Sequence, residues 1–300
     1  MKIMFVVNPI SGGVDKEPFL KSATAFCKKY GIDYHIFKTT GKNDDQEMKK
    51  ELLEYDPDKV ASVGGDGTTL FTATNLMGTD YPMGIIPLGS ANGMATELYV
   101  APNPMDAFRD LVLSDVIHGL DLVLVNDKYY TLHIGDVGLN AQIVDSHDKS
   151  SKRGMGIYAK YFVEKVSKAK PFKMKIRIGG DTFQKEGLMV ALCNARKYGT
   201  GVPLTLNGNP MDGVFEIVVI ERIDVKSLIK AGLSKFDEQY FDHQDGTIYQ
   251  TNDAEIWFEE PRLLQLDGEV IGEFDHIKAQ VLPRAVRLIT HKDNKYLNQY

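Results

Sequence analysis

The first 120 residues alternate short apolar runs with segments of helical periodicity, and this alternation constrains the fold more than any other feature. Ile3–Val7 is a continuous apolar run, typical of a strand buried on both faces. Phe19, Ala23 and Cys27 then recur at helical spacing, which predicts an amphipathic helix over about 16–30. Strands separated by helices predict a doubly wound parallel sheet, whose ligands bind at the carboxyl ends of the strands.

The same alternation continues through the rest of this segment. A second helix is marked by Met48 and Leu52, and the polar cluster at 43–45 can cap its start. The further strands predicted here are Ile32–Phe37, Lys59–Val63 and Met83–Ile86.

After about residue 120 the predicted strands follow one another with few helices between them, which favours an antiparallel sandwich or barrel. We expect helices only at about 155–168 and 224–235. The predicted strands are Leu120–Asn126, Tyr129–Gly135, Lys173–Ile178, Gly187–Cys193, Phe215–Ile220, Glu255–Phe258, Leu263–Leu266, Ile277–Leu282 and Val286–Thr290. The chain is therefore expected to form a doubly wound α/β domain over 1–120 and a β-sandwich domain over 121–300. The C-terminal tail is a candidate to return to the first domain.

Composition excludes several classes of function. A formal net charge of −6 argues against a general nucleic-acid binder, and 43% hydrophobic with 25% charged residues is ordinary for a soluble globular protein. The apolar runs are too short to span a membrane. Cys27 and Cys193 lie in apolar surroundings without metal-ligand spacing, so we expect reduced thiols and a cytosolic protein.

Three glycine-bearing turns follow three of the predicted parallel strands: NPISGG at 8–13, GGDGT at 64–68 and PLGSAN at 87–92. Glycine lets the backbone approach an anion closely, and a helix that starts after the turn adds free N–H groups. Asp66 would repel phosphate, so it is expected to hold Mg²⁺ or to orient an attacking hydroxyl. The alternatives are a plain strand-ending turn at 8–13 and a helix cap by Ser90 or Asn92. Neither the Walker motif nor the Rossmann fingerprint is present.

Together these motifs resemble the diacylglycerol kinase catalytic-domain family, which includes bacterial lipid kinases and sphingosine kinases. The resemblance runs over nearly the whole chain. Its motifs are Asn8–Gly12, Gly64–Thr68, Pro87–Asn92, Asn194–Pro203, Asn209–Phe215 and Leu266–Glu269. It implies a nucleotide-binding α/β domain followed by a β-sandwich, with catalysis in the cleft between them.

The resemblance also implies site residues. Glu269 would be the general base that accepts the proton of a lipid hydroxyl, and Asp66 would organise Mg²⁺-ATP. A structural Mg²⁺ site would involve Asn209, Asp212 and the carbonyl of Val214. The ATP-binding residues would be Asn8, Pro9, Ile10, Ser11, Gly12, Gly64, Gly65, Asp66, Gly67, Thr68, Ser90 and Asn92, with Thr40 or Thr39 from the loop after the second strand. Taken without the resemblance, Asp212-Gly213 and Asp267-Gly268 are typical of hairpin turns.

The sequence departs from the family pattern at two carboxylates. Gly93 stands where the family carries aspartate, and Asn140 stands where aspartate is frequent. Both substitutions leave the acceptor and the level of activity open.

Segment 149–177 holds ten lysines and arginines against one glutamate, with aromatic residues interleaved. Such a segment suits peripheral docking on an anionic membrane surface at the inner face, and the alternative is a solvated amphipathic helix.

The sequence therefore predicts an ATP- and Mg²⁺-dependent kinase of lipid metabolism that phosphorylates diacylglycerol or a related lipid alcohol. The alternatives are an NAD kinase-like phosphotransferase and a weakly active nucleotide-binding regulatory protein. The identity of the lipid and the oligomeric state, for which a homodimer is one option, stay open at this point.

Overall fold

A computed structural model describes residues 1–138, 141, 169–197, 203–222, 246–292 and 294–298. The chain divides into two compact units. The first contains Met1–Asp121 together with Pro283–Tyr300, and the second contains Leu122–Leu282. The helices predicted at 155–168 and 224–235, and Asn140, lie outside the described residues.

The first unit is built on a parallel sheet. Its strands are β1 (Lys2–Val7), β2 (Asp33–Lys38), β3 (Lys59–Gly64) and β4 (Met83–Pro87). They lie in the order β2-β1-β3-β4, and every neighbouring pair is parallel. Leu288, from the C-terminal part of the chain, pairs in parallel with Met83 on the outer side of β4. The doubly wound class predicted from the alternation is confirmed.

Helices follow these strands, and the two that the periodicity predicts, at about 16–30 and around Met48 and Leu52, are confirmed as the first two. The helices are α1 (Glu17–Lys29), α2 (Asp44–Tyr55), α3 (Asp66–Leu76), α4 (Gly93–Glu97) and α5 (Pro104–Leu113). Phe5 of β1 and Phe108 of α5 are both fully buried, and their ring centroids lie 5.4 Å apart. Burial of rings of this size stabilises each side chain by roughly 2–3 kcal/mol, so α5 is held on the sheet by its apolar face.

The second unit is antiparallel. Its strands, with two that run on into the first unit, are β5 (Ile117–Val125), β6 (Tyr129–Thr131), β7 (Ile134–Gly138), β8 (Phe172–Ile178), β9 (Asp181–Gly187), β10 (Met189–Cys193), β11 (Phe215–Ile220), β12 (Gly246–Thr251), β13 (Asp253–Leu266) and β14 (Glu269–Ile289). β12, β11, β10, β7 and β13 pair in that order, while β8 joins β9 to β13. The buried core lies among the inward-facing side chains of these strands, which confirms the predicted β-sandwich.

Several strands of this unit differ from the prediction, and one difference is that the predicted strand Tyr129–Gly135 is two strands, β6 and β7. β13 and β14 are each one long strand where the sequence predicted two. β13 shifts its register between Trp257 and Arg262, around Pro261, which cannot donate to a neighbouring strand. β9 and β12 were not predicted, because most of their side chains are polar or exposed and give no apolar signal.

Candidate active site

The three glycine-bearing turns follow β1, β3 and β4, three neighbouring strands, and their backbones touch. Gly12 has a φ of +63°, and a Cβ placed on it would lie 2.7 Å from the backbone nitrogen of Ser90. A Cβ on Gly65 would lie 3.1 Å from Cα of Gly89. A side chain at either position would push the turns apart, so glycine is what brings the three backbones to one place.

Hydrogen bonds hold the first turn in shape. Oδ1 of Asn8 accepts from the backbone N–H of Ile10 at 3.2 Å, and the hydroxyl of Ser11 donates to the carbonyl of Asn8 at 3.2 Å. The hydroxyl of Ser90 donates to the carbonyl of Gly12 at 3.3 Å and so links the third turn to the first. The side chain of Ile10 is 85% exposed, so its packing does not explain the conformation of this turn.

Lys16 is a site residue that the sequence analysis missed. Its side chain is buried, and its ammonium donates to the carbonyls of Ser11 and, at 2.7 Å, of Val14. Burial lowers the pKa of Lys16. The ammonium therefore holds the end of the first turn against the start of α1. A lysine two residues before a helix proline is ordinary in a sequence, and no pattern around it distinguishes it from a solvated one.

Asp66 begins α3, and its carboxylate binds the start of α4. The backbone N–H of Gly93 donates to Oδ2 of Asp66 at 3.0 Å, and that of Met94 donates to Oδ1 at 2.9 Å. These bonds satisfy two of the free N–H groups at the start of the helix. Each carboxylate oxygen keeps a second lone pair, so the group retains the capacity to meet a cation.

The alternative interpretation of the third turn, a helix cap by the side chain of Ser90 or Asn92, is wrong, because Asp66 accepts from the first N–H groups of α4 instead. Asn92 instead has a φ of +52° and closes its own loop. Its Oδ1 accepts from the backbone N–H of Gly89 at 2.7 Å, and its Nδ2 donates to the carbonyl of Gly89 at 3.0 Å. Asn92 therefore shapes the third turn.

Thr68 and Gly67 occupy the first turn of α3. Thr68 is buried against Gly64, and no described residue forms a hydrogen bond with its hydroxyl. Gly67 is exposed. Thr68 thus carries an unsatisfied hydroxyl within the glycine-rich turn, a group that a bound ligand or water can pair.

The loop after β2 contains Thr39 and Thr40, the two alternatives for the ATP site. Both form hydrogen bonds that shape this loop. The backbone N–H of Thr39 donates to the carbonyl of Val7 at 2.9 Å. Asp44 accepts from the N–H and from the hydroxyl of Thr40, each at 2.9 Å, and from the N–H of Gly41 at 2.7 Å. Burial tends to raise the pKa of Asp44, but these hydrogen bonds outweigh it and hold the pKa below its ordinary value. Thr39 joins the loop to the end of β1, and Thr40 stiffens the loop itself.

In the second unit, the LDGE segment forms a two-residue hairpin turn between β13 and β14. Asp267 and Gly268 have φ of +51° and +89°, and Leu266 pairs with Glu269 across the turn. The hairpin interpretation of Asp267-Gly268 is confirmed. Glu269 is the first residue of β14, and its side chain is exposed.

The carboxylate of Asp267 anchors this hairpin. It accepts from the hydroxyl of Thr131 at 2.6 Å and from the backbone N–H groups of Leu132, His133 and Ile134 at 2.8, 3.0 and 3.1 Å. Burial raises the pKa of Asp267, and the hydrogen bonds from Thr131 and Leu132 oppose that rise. The hairpin that carries Glu269 is thereby fixed to the loop between β6 and β7.

A second contact fixes the same hairpin and was not predicted. The side-chain amide of Gln265 donates to the carboxylate of Asp136, and its Oε1 accepts from the N–H of Gly268 at 2.8 Å. Oδ1 of Asp136 also accepts from the N–H of Ala141 at 2.9 Å. Asp136 and Gln265 are both buried. The two side chains meet because Asp136 of β7 lies opposite Gln265 of β13. The sequence alone does not give this register.

The predicted metal-binding loop leads into β11. Oδ1 of Asn209 accepts from the N–H of Met211 at 3.0 Å, and Oδ1 of Asp212 accepts from that of Val214 at 3.1 Å. Glu216, the second residue of β11, is buried, and no described residue pairs with its Oε2. Burial, with the nearby charge of Asp212, raises the pKa of Glu216 to about 7.

These residues fit a magnesium ion by their chemistry. Amide, carboxylate and carbonyl oxygens are the ligands that hard cations take. A cation at Asp212 would also compensate Oε2 of Glu216, whose other oxygen accepts a hydrogen bond from the side-chain amide of Gln250 at 3.3 Å. In the part of the chain that the structure describes, no three His, Cys, Asp or Glu side chains form a ready-made metal cluster.

Only part of the basic segment 149–177 falls among the described residues, since 149–168 lie outside them. Within the described part, Lys175 places its ammonium 4.3 Å from the ring centroid of Trp257, and Arg177 forms an ion pair with Glu255. Among the described helices, none has the length and apolarity that crossing a bilayer requires.

Comparison with known proteins matches both halves of the chain. Residues 2–125 match the diacylglycerol kinase catalytic domain, and residues 135–290 match the YegS C-terminal NAD kinase beta sandwich-like domain. A "Probable lipid kinase YegS-like" from Citrobacter koseri is 26% identical over 287 residues, which cover 92% of either chain. A "Diacylglycerol kinase" from Bacillus subtilis is 23% identical over 274 residues, 89% of either chain.

The fold has also been seen before. The crystal structure of a diacylglycerol kinase from Bacillus anthracis superposes on this chain with a TM-score of 0.73 at 20% identity. The superposition covers 98% of both chains. At this level of identity, the similarity extends to the fold of the whole chain.

Proposed function

Because the chain belongs to the lipid kinase family that carries a diacylglycerol kinase catalytic domain, and is thus a phosphotransferase with an alcohol acceptor, we propose that it transfers the γ-phosphoryl group of ATP to a lipid hydroxyl. Diacylglycerol is the acceptor we favour, and the reaction would serve phospholipid biosynthesis.

One observation supports the nucleotide site above all others. Gly12, Gly65 and Gly89 bring three turns together at the carboxyl end of a parallel sheet, with Asp66 beside them. Backbone N–H groups at such an edge suit a polyphosphate. The neighbouring turn residues would bind ATP through backbone and hydroxyl groups. Phosphoryl transfer depends mostly on such positioning and electrostatic stabilisation.

Mg²⁺ would be held at two places. Asp66 would hold the ion that accompanies ATP, and Asn209, Asp212 and the carbonyl of Val214 would hold a structural ion in the second unit. When bound, the ion with ATP neutralises phosphate charge. The two hydrogen bonds from the start of α4 orient the carboxylate of Asp66, and Asp212 would supply the carboxylate ligand at the second site.

Glu269 is the proposed general base. Its exposed carboxylate stands at a turn fixed by Asp267 and Gln265, so a lipid hydroxyl can approach it while the backbone stays in place. An alcohol is a weak nucleophile near neutral pH, and a positioned carboxylate that accepts its proton contributes roughly 10²–10⁴-fold to such a reaction.

The test offers the protein labelled ATP and Mg²⁺ with diacylglycerol, sphingosine or NAD in separate reactions. We expect label in diacylglycerol, and a Glu269→Gln variant should lose at least about 100-fold of that turnover while it still binds ATP. Label in NAD alone would exclude the lipid kinase. Full activity of Glu269→Gln would remove this residue from the role of base.

Two alternatives rest on specific observations. An NAD kinase-like activity is favoured by the match of residues 135–290 to a domain described as NAD kinase beta sandwich-like. A weakly active nucleotide-binding regulator is favoured by Gly93, where the family pattern has a carboxylate. Label in none of the three acceptors, together with measurable ATP binding, would favour the regulator.

Access to a lipid acceptor calls for contact with a membrane surface. We attribute this contact to the basic residues of segment 149–177, because each basic group near an anionic surface contributes about 1 kcal/mol. Equal co-sedimentation with anionic and neutral vesicles would contradict this assignment.

A further inference from the structure

Helix α4 is held at both ends, and the two attachments come from distant parts of the chain. At its start, Gly93 and Met94 donate to Asp66. At its end, Glu97 is buried, with 3% of its surface exposed, and accepts a hydrogen bond from the hydroxyl of Tyr296. Since α4 runs from Gly93 to Glu97, these attachments lie about 6 Å apart along its axis.

The Glu97–Tyr296 pair is buried on both sides, because Tyr296 is only 2% exposed. A carboxylate removed from water is costly unless hydrogen bonds compensate it. The phenol hydroxyl supplies such a bond. The pair therefore favours one position of α4 relative to the C-terminal segment.

The C-terminal segment is itself well fixed on the same unit. Nδ2 of Asn294 donates to the hydroxyl of Thr290 at 2.9 Å, and Oδ1 of Asn294 accepts from the N–H of Tyr296 at 3.0 Å. Nε2 of His291 lies 2.6 Å from the carbonyl of Tyr99, just after α4. Tyr296 thus approaches Glu97 from a rigid base.

We propose that Tyr296 is a positioning residue for the nucleotide site, acting through Glu97 and α4 on the carboxylate of Asp66. This inference rests on the proposed function, because it takes Asp66 as the residue that organises Mg²⁺-ATP. A short helix transmits displacement from one end to the other, so release of Glu97 allows the N–H groups of Gly93 and Met94 to move. Asp66 then loses its fixed orientation, and the affinity for Mg²⁺-ATP falls.

The test compares three single variants in the full chain. Tyr296→Phe removes only the hydroxyl, and we expect the Kd for Mg²⁺-ATP and the KM for ATP to rise at least fivefold while the KM for the lipid stays within twofold. Glu97→Gln retains an acceptor for the phenol, and its Kd should stay within twofold of the wild type. The matched control is Tyr81→Phe, because Tyr81 donates to a carboxylate oxygen of Asp56 at 3.0 Å on the exposed surface of the same unit.

Each outcome decides the inference. A Kd for Tyr296→Phe within twofold of the wild type, or one raised no more than that of Tyr81→Phe, would overturn it. Should Tyr296→Phe fail to fold, the double variant Glu97→Gln/Tyr296→Phe, which leaves no buried charge, takes its place under the same criteria. Failure of the wild type to bind Mg²⁺-ATP would instead contradict the proposed function, so the two failures are distinguishable.

Discussion

Two neighbouring glycines in the first turn show two different reasons why a position requires glycine. Gly12 and Gly13 are neighbours with φ of +63° and +64°, so both occupy a conformation that L side chains rarely adopt. They differ in their surroundings. A Cβ at Gly13 would have no atom within 4 Å, whereas one at Gly12 would meet the backbone of Ser90 and Gly89.

This difference makes Gly13→Ala a matched control for Gly12→Ala. Gly13→Ala should lower stability by about 1 kcal/mol through backbone strain alone and leave ATP affinity within twofold. Gly12→Ala carries the same strain and also pushes the first and third turns apart, so its ATP affinity should fall at least tenfold. Calorimetric titration with Mg²⁺-ATP measures both, and equal affinities would show that contact between the turns does not matter for binding.

At the scale of single residues, the three glycine-bearing turns could be predicted from the sequence, but the hydrogen bonds within and between them could not. Asn8, Asp66 and Asn92 stand out because each interrupts or borders a glycine-rich turn. Their partners lie far along the chain, as Asp66 and Gly93 show, and a contact over 27 residues depends on the packing of whole elements. Lys16 and Glu97 could not be recognised from the sequence for the same reason. Their role depends on their burial in the folded chain, which the residue type alone does not reveal.

At the scale of elements, the hairpin between β13 and β14 carries two carboxylates, close in sequence, that have different surroundings and different roles. Asp267 accepts four hydrogen bonds from the loop between β6 and β7, whereas the side chain of Glu269 is exposed. The first carboxylate stabilises the turn, and the second is free to meet a substrate.

Asp267→Asn and Glu269→Gln should therefore differ in their effect on stability. Asp267→Asn replaces one acceptor oxygen by a donor, which opposes the backbone N–H groups around it. We expect a loss of about 2 kcal/mol in the free energy of unfolding, seen as a lower urea midpoint. Glu269→Gln should leave that midpoint unchanged, because exposed substitutions usually change stability by less than about 0.5 kcal/mol. A stable Asp267→Asn variant would contradict the anchoring role.

Elements with a clear apolar period were predictable, and those without one were not. β11 was predicted at its observed bounds, Phe215–Ile220, because five of its six residues are buried. β12 pairs with it along its full length, yet only one of its residues is buried. The strand forms because β11 offers a free edge, and a free edge is a property of the folded sheet.

For the molecule as a whole, the first unit is discontinuous in sequence, since Pro283–Tyr300 complete it after the second unit has intervened. The two crossing points lie next to each other. The backbone N–H of Arg284 donates to Oδ1 of Asp121 at 2.6 Å, and a Cβ on Gly119 would touch Arg284.

The second unit should therefore be removable. Replacing residues 122–282 by a linker of about four glycine and serine residues bridges the two neighbouring ends. We expect this shortened chain to fold and to bind ATP with an affinity within about tenfold of the full chain, without lipid phosphorylation. Circular dichroism and calorimetric titration test this expectation, and a shortened chain that folds without binding ATP would show that the nucleotide site needs the second unit.

The discontinuity also sets the order in which the protein can be completed during synthesis. A ribosome releases residues from the N-terminus onward, so Leu288 and Tyr296 emerge only after all of Leu122–Leu282 has been made. Until then the β4 edge lacks the strand that pairs with Met83, and α4 lacks its partner at Glu97. The second unit, which is continuous, has all its strands earlier. In the cell, the unit that begins first is therefore the one that finishes last, and its open sheet edge is exposed to premature association throughout that interval.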